Sequence, residues 1–213
     1  MLKSTHHGDD DKVNDGDFDF NNVLNKHAVK NRRIFFWGEL EDADALSVIS
    51  QLHYLSEQNS DPIQIIINSP GGSVDAMYGI MDEMKAIQDS GVIISTVVTG
   101  VAYSAAAFIL ALGSKGYRYA RPNANIMMHP MSYGLGADYS DYQEKIAAFY
   151  RKVNDKTHKI LTEALGLKGD KQYKKFLADI DKGLWLTAEE ALERKVIDKI
   201  WSKPIGSPAY KGK

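Results

Sequence analysis

The chain has 213 residues, 44% hydrophobic, 25% charged and 10% aromatic, enough for one or two packed domains and unlike a wholly disordered or collagen-like chain. Lys and Arg total 26 and Asp and Glu 28, a formal net charge of -2, so no strongly basic face for nucleic acid is implied. With no cysteine, thiol catalysis, thiolate metal ligation and disulfide stapling are excluded.

Residues 1–19 read as a flexible arm, with Asp9, Asp10, Asp11, Asp15, Asp17 and Asp19 against Lys3 and Lys12, closed by a short Phe18/Phe20 anchor. No apolar core precedes His6 and His7, so the start does not read as a signal peptide. The weakly polar run 97–113 is interrupted by Thr99, Gly100 and Ser104 and falls short of the ~20 apolar residues of a membrane span. The expectation is a soluble, cytoplasmic chain that contacts neither membrane nor nucleic acid.

Ile34 to Trp37 is a strand-like run closed by Gly38, and Ala45, Leu46, Ile49, Leu52 and Leu55 recur at helical spacing over 43–56. Ile63 to Ile67 make a compact buried strand, expected to break at Asn68-Ser69-Pro70-Gly71-Gly72-Ser73. A second amphipathic helix follows over 74–87, then a buried strand over 92–98, a turn at Gly100 and a helix over 104–112. Short strands at 117–120 and 124–128 bracket Pro122-Asn123.

A glycine-containing stretch, 134–137, leads into a helix over 140–165 with Ile146, Phe149, Val153, Ile160 and Leu161 along one side. At roughly seven turns it is longer than a small domain needs for its own core, which suggests an arm that meets another subunit. A helix near 171–177, the apolar Trp185-Leu186, a capping box at Thr187 and Glu190, and a basic tail over 202–213 complete the chain. Strands joined by helices give one α/β domain over 20–201 with no internal repeat.

Four places could carry chemistry. Gly71 and Gly72 could turn backbone N–H groups toward a developing oxyanion, or form only a structural turn; no phosphate-loop lysine follows them. Ser104 sits among small residues at a strand-to-helix junction, either as a nucleophile or as an ordinary N-cap, and outside a Gly-X-Ser-X-Gly elbow. His129 at a strand end is a general base or a satisfied structural histidine. Asp179 and Asp181 precede Leu184-Trp185-Leu186, where either could return against His129 or remain solvated. The other histidines have no metal-ligand spacing, so neither metal nor cofactor is expected.

Ile67 to Val74, Gly100 to Leu110, Lys115 to Asn123, Ile126 to His129 and Leu186 to Ala191, in this order and spacing, resemble the ClpP family, the proteolytic subunits of ATP-dependent Clp proteases, from about Phe18 to Ile200. The resemblance implies the ClpP/crotonase-like fold, an α/β architecture of repeated β-β-α units with a protruding handle helix, here about 132–165. It implies a serine endopeptidase acting on unfolded polypeptides or peptides, with Ser104 as nucleophile, His129 as base and the N–H groups of Gly72 and Ala105 as oxyanion hole. It also implies a homo-oligomer of two stacked heptameric rings and an AAA+ Clp unfoldase as partner.

This sequence departs from the family pattern in four places. Ala105-Ala106 follow the serine where a glycine is usual second, and His129-Pro130-Met131 stands for His-Gln-Pro, removing the N–H next to the base. An ungapped match puts Gly183 where the family has its triad aspartate; a short insertion would let Asp181 serve, favoured over Asp179 by its nearness in sequence. The acidic arm differs from the family N-terminus. These departures keep two other readings open: a specialised processing protease of phage or prophage type, and a catalytically weak structural or regulatory ring subunit.

Overall fold

The structure, a computed structural model, describes residues 26–131, 140–167 and 170–203. The arm with Phe18 and Phe20, the stretch 134–137 and all but the start of the basic tail lie outside the described residues.

Three parallel strands, β1 (Arg33–Leu40), β2 (Ile63–Gly72) and β3 (Ile94–Tyr103), lie side by side in one seven-stranded sheet, with β1 at its edge. Ile63, Ile65, Ile66 and Ile67 are all buried, because β2 is covered on both faces, as a continuous apolar run in a parallel strand requires. Helices α1 (Asp42–Gln58) and α2 (Val74–Asp89) return the chain between these strands. The first buries Ala45, Val48, Leu52 and Leu55. The second buries Ala76, Met77, Ile80, Met81, Met84 and Ile87, and the Ser73 Oγ caps it by accepting the Ala76 N–H at 3.2 Å.

Two expectations about strand length are overturned. β2 does not break at Asn68 but runs through Pro70 to Gly72, pairing Gly71 and Gly72 with Glu39 and Leu40 across an irregularity in β1. β3 likewise passes through Gly100 to Tyr103, changing partners on the way. Its Thr96–Val98 part pairs with β4 (Arg118–Ala120) and its Val101–Tyr103 part with β5 (Asn125–Met128). At the changeover the Asn68 Oδ1 accepts the Val101 N–H at 3.0 Å, and a Cβ on Gly100 would lie 2.4 Å from that oxygen, so only glycine fits there.

β3 feeds α3 (Ala105–Ala111), which is buried along its whole length. Helix α4 (Ser140–Leu165) has the bounds expected from its periodicity, but its apolar side is not uniformly covered: Phe149 is 61% exposed, whereas Leu161 and Leu165 are buried. After α5 (Asp170–Asp181), β6 (Leu184–Thr187) pairs antiparallel with β5. The expected capping box at Thr187 and Glu190 starts α6 (Ala188–Glu193), and β7 (Lys199–Ile200) closes the sheet against β4.

The buried Arg118 clamps β4 to the last strand. Its Nε and Nη2 donate to the two carboxylate oxygens of Asp198 at 2.9 and 2.6 Å, and the N–H groups of Gly116 and Arg118 also reach Asp198 Oδ2. No helix among the described residues is long and apolar enough to cross a membrane.

Candidate active site

The end of β3 determines how residue 104 is presented. Ser104 donates its backbone N–H to the Met127 carbonyl at 2.8 Å and then turns at φ 53°, ψ -126° into α3. A non-glycine residue at positive φ costs on the order of 1–3 kcal/mol, and such strain persists only where the surroundings impose it. Here they do, because Gly71 lies directly beneath: a Cβ on Gly71 would stand 2.7 Å from the Ser104 Cβ and 2.6 Å from the Tyr103 carbonyl oxygen.

Gly72 is fixed from the other side. A Cβ there would fall 2.3 Å from the Leu40 carbonyl oxygen, and its φ of 149° is one that L side chains rarely adopt. β2 can therefore reach the serine only with glycines at its end. The Gly71 N–H is held by the Ser69 Oγ at 3.1 Å. Ala105 is the first residue of α3, where a backbone N–H has no partner within the helix.

β5 brings the histidine. His129 follows its last residue, Met128, and Met127 is the residue that holds Ser104. Gly72, Val74, Met77, Ser104, Ala105, Phe108, His129 and Met131 line one cleft of about 50 Å³. Ser104 and His129 are both half-buried there. A serine, a histidine, a glycine and a helix-start residue thus line one small cleft, residue types suited to acyl transfer.

The two aspartates lie elsewhere in their immediate contacts. Asp179 is ion-paired with Arg194 at 2.6 Å, and that guanidinium holds its carboxyl below the usual range. Asp181 ends α5, and its charge is felt by His158 of α4. Gly183 directly precedes Leu184, the residue paired with Met128, so continuing the register sets Gly183 opposite His129. Among the described residues no carboxylate lines the cleft.

Two residues of the neighbourhood receive no individual role from the sequence. Asn68, which lies there within the family-like segment 67–74, couples the end of β2 to β3 through the Val101 N–H. Asn154 of α4 accepts the Met131 N–H at 3.4 Å. Among the described residues no three His, Asp or Glu side chains converge as a metal-ligand set.

A protein-family model described as Clp protease matches residues 17–204. The chain is also 35% identical over 190 residues to the ATP-dependent Clp protease proteolytic subunit of Leuconostoc citreum (strain KM20), covering 88% of this chain and 92% of that protein.

Proposed function

The chain belongs to the Clp protease family and is a peptidase, and from that premise we propose that it is a serine endopeptidase that cuts unfolded polypeptides inside an oligomeric chamber. The observation that carries this reading is the single cleft shared by Gly72, Ser104, Ala105 and His129. In the proposed reaction His129 takes the proton of Ser104 as the hydroxyl oxygen attacks a peptide carbonyl carbon. The N–H groups of Gly72 and Ala105 hold the oxyanion of the tetrahedral intermediate, and His129 returns the proton to the departing amine. Water then repeats the steps on the acyl-enzyme.

Asp181 is the proposed orienting carboxylate. Asp179 is already engaged by Arg194, whereas Asp181 acts on His158, one helical turn from the Asn154 that meets the segment after His129.

Assembly into stacked rings fed by an AAA+ Clp unfoldase is the proposed setting. Two surfaces support self-association. Phe35 and Trp37 alternate on the exposed face of edge strand β1, and residues 142–156 of α4 contain no fully buried side chain although Phe149 and Tyr142 are large and apolar or aromatic. The test is hydrolysis of a short fluorogenic peptide alongside sedimentation. Ser104→Ala is expected to abolish hydrolysis and leave a species far larger than 23.7 kDa; undiminished hydrolysis overturns the proposal.

A further inference from the structure

We infer that Asn154 and His158 of α4 are positioning residues for the base, anchoring the first backbone N–H that follows His129; this rests on the peptidase reading above. Pro130 has no N–H, so the first donor after His129 is that of Met131. It is met by the Asn154 Oδ1 at 3.4 Å, and the Asn154 Nδ2 lies 3.5 Å from the His158 Nδ1.

Hydrogen-bond polarity orders the whole chain. The Met131 N–H can only donate, so the amide oxygen of Asn154 faces it and the amide nitrogen faces His158. His158 Nδ1 must then accept, and the imidazole carries its proton on Nε2. His158 is 3% exposed, and its Nε2 has no hydrogen-bond partner among the described residues. Burial lowers its pKa from the ordinary value, against the carboxylates of Asp181 on α5 and Asp155 on α4, so the neutral acceptor form is the one present near neutral pH.

Both contacts sit at the long end of hydrogen-bond range, so the anchor orients the segment and does not lock it. Protonating His158 would place a second donor against the Asn154 amide nitrogen. Turning that amide would then set its NH2 against the Met131 N–H. Either arrangement loses one contact, and the backbone carrying His129 loses its tie to α4.

The test compares the full-length chain with Asn154→Ala and His158→Gln, whose side-chain oxygen accepts at every pH. For Asn154→Ala the expected result is a kcat reduced about tenfold with KM unchanged, the scale of a small misplacement of a catalytic group. Amide exchange in peptides covering His129–Met131 should quicken. His158→Gln should keep kcat near neutral pH and remove one proton from the acid limb of the pH profile. Unchanged kcat and exchange in Asn154→Ala, or an unaltered acid limb in His158→Gln, overturns the inference. Failure of the unmodified chain to acylate at Ser104 would overturn the serine-peptidase reading instead, and the exchange experiment would still decide the anchor.

Discussion

The backbone N–H of Ser104 donates to the carbonyl of Met127 at 2.8 Å, so the serine and His129, two residues further on, are set by the same pair of strands. The relative placement of hydroxyl and imidazole is therefore a property of the sheet.

Ser104 is held at φ 53°, and this strain is measurable. Ser104→Gly and Ser104→Ala should both lack hydrolysis, but the glycine variant should be the more stable by about 1 kcal/mol, since glycine adopts that backbone without the steric cost. Thermal unfolding of the two variants side by side checks this. Equal stability would show that the turn is relaxed.

Gly72→Ala should damage both fold and rate. The added methyl would meet the Leu40 carbonyl oxygen, displacing the end of β2 and with it one oxyanion donor. Loss of one such donor costs about 10²–10³ in kcat. Peptide hydrolysis by a sample shown folded by circular dichroism checks the outcome.

Asp198→Ala should destabilise by about 3–5 kcal/mol, because it leaves the buried Arg118 guanidinium without its partner. Burial alone would raise the Asp198 carboxyl. The Arg118 side chain and the N–H groups of Arg118 and Gly116 outweigh it, so the pKa lies below 3.8. The stabilisation is therefore full above that pH and disappears as pH falls through the folded-state value, which denaturation in acid would follow in the native chain and not in the variant.

His158 titrates with the same sign for a different reason. Its folded pKa is below 6.5 because burial disfavours the cation, so from pH 6.5 downward the unfolded chain binds a proton that the folded chain refuses. Stability should decline over that window until the folded-state value is reached. His158→Gln should flatten the decline, as urea titrations at a series of pH values would show.

The third carboxylate separates two aspartates. Asp181→Asn should lower turnover by several orders of magnitude if it orients the imidazole as proposed, while Asp179→Asn should mainly loosen the contact between α5 and Arg194. Wild-type turnover in Asp181→Asn would leave Ser104 and His129 acting as a pair.

Helices were the most legible part of this sequence. The α4 periodicity gave its ends because long amphipathic segments repeat one signal many times. The ends of β2 and β3 are not legible in the sequence because Asn68, Pro70, Gly71, Gly72 and Gly100 are residue types of turns, and only their partners explain them. Leu40 and Ser104 crowd the glycines, and Asn68 bonds across to Val101. Ser104, His129, Gly72 and Ala105 were named from local pattern and family resemblance, and the fold brings all four to one cleft. Asn154 was invisible because its partner is a backbone N–H, which no side-chain pattern records.

The most direct measurement is the reaction of the full-length chain with a fluorophosphonate, followed by mass spectrometry of its peptides. One covalent adduct is expected, on Ser104, formed far more slowly in His129→Ala. An adduct confined to another residue, or equally fast labelling of Ser104 without the imidazole, would contradict it.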